Sequence, residues 1–173
     1  MSTSILPYFL IALCIRLISL FISISNEKKL KAGGAKEYGV FNSWLLTSFH
    51  ILYYILCAYE GVEKGKNANE YTLAGAALFL ASMFFLYLVI KQLGPVWTVK
   101  LIISPTQVVN KSFFFKYIRH PNYFLNVIPE MVAIAFICQA WCVLIYGFPL
   151  YLIPLAIRIY QEEKLMRQEF SDY

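Results

Sequence analysis

The apolar run from Tyr123 to Tyr160 limits the fold more than any other part of the chain. It is 38 residues long and nearly unbroken. As one helix it would measure about 57 Å at 1.5 Å per residue, far more than the roughly 30 Å hydrocarbon core of a bilayer. The run must therefore fold back on itself. A turn at Gln139-Ala140-Trp141 leaves two arms of similar length, and Gly147 with Pro149 offers another break. Pro149 and Pro154 fall in the returning arm and are expected to kink it, as membrane bundles tolerate.

Three earlier runs, Ile5–Ser25, about Val40–Tyr59 and about Thr72–Ile90, are each long enough to span. The first lacks a basic start and a small-residue cleavage site, so it reads as a retained helix rather than a signal peptide. The third opens with Ala74-Gly75-Ala76-Ala77, a small-residue face that permits close helix approach. Only 14% of the 173 residues are charged, against about 25% in a soluble domain. The expected fold is an all-α integral membrane protein with about five transmembrane helices. Spans 4 and 5 form a helical hairpin, followed by a cytoplasmic C-terminal helix. We expect a single membrane domain, residues 1–93 holding the first three spans and residues 94–173 a core with spans 4 and 5.

The net charge of +5 lies in loops between apolar runs, which argues against a nucleic-acid partner and for contacts to anionic lipid heads. Twelve of the fifteen Lys and Arg fall in Asn26–Gly39, Lys91–Asn122 and Arg158–Tyr173, whereas Glu60–Tyr71 holds only Lys64 and Lys66. The positive-inside rule then puts the N-terminus outside and the C-terminus in the cytoplasm. Arg16 remains inside the first span, either snorkelling or pairing with another helix, or touching a polar site in the bundle. His50 reads as a hydrogen-bonding group between helices. Cys14, Cys57, Cys138 and Cys142 read as small apolar residues, and no His, Cys and carboxylate cluster has metal-ligand spacing.

Candidate chemistry begins at Arg119-His120-Pro121-Asn122-Tyr123, where a basic, aromatic segment meets the last apolar run. Pro121 suits the first turn of a helix, because its φ is already set and no N–H is needed there. Arg119 and His120 would lie beside the positive end of that helix, a place to hold an anionic group. Arg158 and Glu162, four apart, share a helix face. They form either a surface ion pair or paired anchors for a small polar ligand. Asn126 and Glu130 are also four apart, on a face near His120, and an intramembrane carboxylate is a functional candidate. Leu101-Ile102-Ile103 and Gln107-Val108-Val109 are short apolar patches expected along the interface. No Gly-rich phosphate loop is present.

Arg119–Tyr123, followed by Arg158-x-x-x-Glu162-Glu163 and Phe170-x-x-Tyr173, resembles the isoprenylcysteine carboxyl methyltransferase family over about Pro105–Tyr173. The resemblance implies a membrane-embedded methyltransferase using S-adenosyl-L-methionine in a cytoplasm-facing pocket. It implies that His120, Pro121, Asn122 and Tyr123, with Arg119 beside them, bind the cofactor. Glu162 matches the cofactor-binding acid, Gln107, Val108 and Val109 match the loop covering the cofactor, and Arg158 matches an arginine associated with the acceptor carboxylate. Leu125 and Ser171 stand where the family has Gly. The first would reshape the acceptor tunnel, so the acceptor extends from isoprenylcysteine-like to alkylpyrone-like molecules. The catalytic candidates are Arg158, Glu130 and Asn126. An acceptor that is already an anion needs no base, whereas a hydroxyl would use His120 or Glu130. The partners implied are a lipophilic or lipidated acceptor and membrane lipids. A membrane reductase using NADPH on a lipid and a non-enzymatic lipid-binding helical bundle are the rival readings.

Overall fold

A computed structural model of the chain describes residues 4–104 and 120–169. The elements are α1 (Leu6–Ala32), β1 (Lys36–Tyr38), α2 (Val40–Glu63), α3 (Glu70–Leu93), β2 (Leu101–Ile103), α4 (Asn122–Cys138) and α5 (Val143–Glu169). α1, α2, α3 and α5 are long and apolar enough to cross a membrane, while α4 is a shorter apolar helix. Large apolar side chains such as Phe21, Phe41, Ile51, Leu80, Phe84 and Ile153 are exposed on the long helices. Helices with their backbone hydrogen bonds closed internally and apolar side chains outward suit lipid rather than water. The chain is an integral membrane protein.

α1 continues past its apolar run to Ala32. Glu27 holds that last turn, 2.7 Å from Lys31 at i,i+4 and 2.7 Å from Lys100. The buried Asn26 amide donates to the carbonyls of Gly94 and Trp97, and Ser23 accepts from the Val99 N–H. The segment after α3 is thereby fastened to the end of α1. Leu101-Ile102-Ile103, expected along the interface, is instead a buried strand, antiparallel to Lys36–Tyr38. Its backbone groups find partners in β1, and Leu101 and Ile103 pack on Leu165 of α5.

The core centres on α4, where Met131, Ala133, Ile134 and Ala135 are fully buried. Of the small-residue run in α3, Gly75 is the residue that meets α4. A Cβ on Gly75 would lie 2.7 Å from the Ile137 nitrogen and 2.8 Å from the Ala133 oxygen. The hairpin turn falls at Gln139, which has φ of 53° and donates to the Asn67 carbonyl and the Thr72 hydroxyl. The carboxylate of Glu60 accepts from the N–H groups of Cys142 and Val143, satisfying donors at the start of α5 that no helical carbonyl reaches. Gly147 and Pro149 stay within the helix. The wide π-type turns Asn122–Val127 and Val143–Gly147 come just before Pro129 and Pro149. A proline ring crowds the carbonyl one turn back, and a widened turn makes room.

Gly75→Leu is expected to overpack α3 against α4 and cost roughly 1–3 kcal/mol, read as a lower melting temperature in detergent. Ala77→Leu, on the exposed face of the same helix, is expected to leave that temperature unchanged.

Candidate functional site

Two polar clusters and one cavity make up the site. In the first cluster, the His120 ring lies between two carboxylates of α5. Its Nδ1 is 3.3 Å from Glu162 Oε1 and its Nε2 is 3.1 Å from Glu163 Oε2. The ring stacks on Tyr123, with centroids 5.9 Å apart. The Tyr123 hydroxyl donates to Glu162 Oε2 at 2.5 Å and accepts from Arg158 Nε at 3.3 Å. Arg158, only 1% exposed, also donates to the Ser43 hydroxyl at 2.7 Å and the Val99 carbonyl at 2.9 Å. Arg158 and Glu162 thus share a face, with the Tyr123 hydroxyl between them. Among the described residues no carboxylate lies within 4.0 Å of Arg158. A buried guanidinium held only by neutral partners favours an added anionic oxygen.

Two flanking carboxylates favour a His120 ring that donates from both nitrogens. A neutral imidazole donates from one nitrogen only, and two flanking carboxylates need two donors. Burial pulls its pKa down, but Glu162 and then Glu163 raise it more, and the net shift is upward from 6.5. Nearby, Pro121 opens the helix with φ of −62°. Asn122 Oδ1, Gln161 Oε1 and Trp97 Nε1 are buried without a hydrogen-bond partner. Gln107, Val108, Val109, Arg119, Phe170 and Tyr173 lie outside the described residues.

The second cluster surrounds Glu130, which is fully buried in α4. Its Oε1 accepts from the Tyr54 hydroxyl at 2.6 Å and pairs with Arg16 Nε at 3.0 Å. His50 Nε2 is 3.6 Å away, and His50 Nδ1 is 3.2 Å from the Tyr151 hydroxyl. Arg16 therefore pairs across helices rather than snorkelling, and His50 bridges α2 and α5. Asn126 is elsewhere: its amide donates to the Ser82 carbonyl of α3 at 3.2 Å. It lies in the widened turn and bonds to α3 rather than to the groups around Glu130.

A cavity of about 430 Å³ joins the clusters. Arg16, His50, Tyr54 and Tyr151 line one part of it, and Asn122 and Tyr123 line another. Leu17 and Leu20 of α1 and Ile51 and Ile55 of α2 line it and are also exposed on the bundle surface, so it reaches the lipid-facing side between these helices. Glu130, Asn126, Arg158 and Leu125 are not among its walls. Leu125, expected to reshape an acceptor tunnel, therefore does not border this one.

Residues 75–168 match the isoprenylcysteine carboxyl methyltransferase (ICMT) family. The chain belongs to this family. The match takes in both partners of the His120 bracket, Glu130 and Arg158, and the family places this membrane protein among methyltransferases. An uncharacterized protein of Haemophilus influenzae is 43% identical over 94% of this chain and 94% of its own length. The uncharacterized protein YpbQ of Bacillus subtilis is 29% identical over 95% of this chain and 98% of its own. No solved structure matches the chain.

In this ICMT-family protein, sequence reasoning missed Ser43 as a partner of Arg158, and Tyr54 and Tyr151 around the second cluster. Ser43 and the tyrosines carry no spacing signal. Arg16 and His50 did stand out as polar exceptions in apolar runs.

The His120 bracket predicts a pH dependence. A pKa raised on folding contributes stability that is full below the ordinary value of 6.5 and fades as pH rises through the higher folded value. The melting-temperature gap between the wild type and His120→Gln should be largest near pH 6 and narrow toward pH 9. A gap that widens with pH would contradict the bracket.

Proposed function

We propose that this protein transfers a methyl group from S-adenosylmethionine to an oxygen of a lipophilic acceptor at the membrane boundary. The observation that carries the reading is the shared position of Asn122 and Tyr123. They belong to the polar motif beside His120 and to the wall of a largely apolar cavity that reaches lipid. A water-borne charged donor and a membrane-borne acceptor need a site open to both media. When bound, S-adenosylmethionine supplies an electrophilic methyl group on a cationic sulfur.

The residues present suit that molecule. The unpartnered Asn122, Gln161 and Trp97 atoms offer hydrogen bonds to a polar ligand, and Glu162 and Glu163 offer carboxylates to its cationic or hydroxyl groups. His120, Pro121, Asn122, Tyr123 and Glu162 would hold the cofactor, with Gln107, Val108, Val109 and Arg119 completing the set by motif. Arg158 stands behind the Tyr123 hydroxyl and adds positive potential where an acceptor oxygen is oriented. The cavity takes the acceptor's apolar chain, and its volume is in the range of small-molecule sites. The main catalytic contribution is then positioning, which sets the acceptor oxygen against the methyl carbon. In the orientation we propose, the His120 end faces the cytoplasm and the N-terminus lies outside.

Calorimetry of the purified protein should show S-adenosylmethionine binding, weakened about tenfold or more by Glu162→Ala, whose carboxylate holds charge-assisted bonds. NADPH should give no binding heat. Incubation with methyl-labelled cofactor and a membrane lipid extract should label an extractable lipid. Absence of both cofactor binding and label would overturn the reading. Reporter fusions should place the C-terminus in the cytoplasm, and an external C-terminus would reverse the proposed orientation.

A further inference from the structure

The Glu130 cluster lies mostly outside the family-matched segment, since Arg16, His50 and Tyr54 all precede residue 75. It nonetheless lines the same cavity as Asn122 and Tyr123. We propose that Tyr151, His50 and Glu130 form a proton relay that ionises a hydroxyl of the acceptor. The acceptor is then an amphiphile with a weakly acidic phenolic or enolic hydroxyl rather than a carboxylate. This rests on the methyltransferase reading above.

Three observations support it. First, the order of contacts is that of a relay. The Tyr151 hydroxyl is 3.2 Å from His50 Nδ1, and His50 Nε2 is 3.6 Å from the Glu130 carboxylate. Tyr151 and His50 line the cavity, and Glu130 stands behind them. Second, His50 Nε2 and Glu130 Oε2 are buried without a hydrogen-bond partner. A proton added at Nδ1 creates a charge on a ring whose Nε2–H side already faces a carboxylate. Third, the cluster is close to electroneutral before any acceptor enters, because Arg16 offsets Glu130. An entering carboxylate would find Arg16, the cation at this cluster, already paired with Glu130, whereas a hydroxyl enters neutral. His120 is unsuited to the same task, since both of its ring nitrogens already face carboxylates.

In the step, the acceptor's O–H bond breaks and its proton passes to the Tyr151 oxygen. The proton that Tyr151 carried passes to His50 Nδ1. The products are an acceptor oxyanion, a neutral Tyr151 and an imidazolium at His50 beside Glu130. The proton leaves to water when the cavity empties. Tyr151 touches the acceptor, while His50 acts through it and Glu130 is a positioning residue. The titratable and charged groups facing His50 are Arg16 of α1, Tyr54 of α2, Glu130 of α4 and Tyr151 of α5.

The test needs no cofactor. A 4-nitrophenol carrying a dodecyl chain is added to the full-length protein in neutral detergent, and nitrophenolate absorbance is followed against pH. Binding is followed by quenching of tryptophan fluorescence, since Trp97 lines the cavity. The wild type should raise the nitrophenolate-to-nitrophenol ratio about tenfold over protein-free micelles. Tyr151→Phe and His50→Gln should bind the probe yet lose most of that increase, while Ala77→Leu, on the exposed face of α3 and outside the cavity, should keep it. Tyr151→Phe is the conservative variant that decides if His50→Gln fails to fold. A wild type that leaves the probe's ionisation at the micelle value, or a Tyr151→Phe protein that shifts it fully, would overturn the relay. Cofactor calorimetry on the wild type separates the two readings: lost cofactor binding with an intact probe shift would sink the methyltransferase reading alone.

Discussion

A carboxylate buried in a lipid-facing bundle must find its partners on other helices, and Glu130 is that carboxylate here. It is fully buried, and α4 offers it no counterion. Leaving such a group unpaired away from water would cost several kcal/mol. Arg16 from α1, Tyr54 from α2 and, at longer range, His50 from α2 meet it. Tyr151 of α5 joins through His50. Side chains of α1 and α2 thus meet on one residue of α4, and α5 is joined to them through His50. Because lipid gives little apolar driving force between helices, such contacts and close packing carry the specificity.

Close packing does its part along the rest of α4. Gly75 brings the α3 backbone against Ala133–Ile137, and Gly61 brings α2 against the Cys138 carbonyl, which a Cβ would approach to 2.5 Å. α4 is therefore surrounded, which explains how a helix shorter than the others keeps its polar residues dry. Glu60 and Gln139 complete the hairpin by meeting backbone groups at the turn between α4 and α5. The methyltransferase family to which the chain belongs draws on this region, since its matched residues run from within α3 to near the end of α5.

The other end of the bundle is built differently. There the partners are charges at the boundary rather than one charge in the interior. The β1–β2 ladder and the Glu27 pairs with Lys31 and Lys100 close the end of α1 onto the strand. The Val99 carbonyl, held by that arrangement, is one of three anchors of Arg158. His120, Tyr123, Glu162 and Glu163 then form a chain of hydrogen bonds around the start of α4. The cavity is lined by residues of both this polar end and the interior cluster, so an amphiphilic molecule within it would meet polar groups as well as apolar walls.

The long apolar runs, the fold-back near Gln139 and the small-residue face at Gly75 were legible in the sequence, because bilayer thickness and helix rise turn run length into architecture. The motif at His120–Tyr123 and the polar exceptions Arg16, His50, Glu130 and Arg158 were legible as single residues, since a charge in an apolar run stands out by itself. Their partners were not. Arg158 and Glu162 read as an i,i+4 pair, yet a hydroxyl from α4 stands between them. Asn126 and Glu130 read as one site, yet Asn126 bonds to α3 while Glu130 meets α1 and α2. Leu101–Ile103 read as an interfacial patch, yet its backbone pairs with a strand far earlier in the chain. Local spacing determines which residues share a helix face in a regular helix. Which helix that face meets depends on rotations that only the packed bundle decides, through backbone approach at glycine and the need to pair every buried charge.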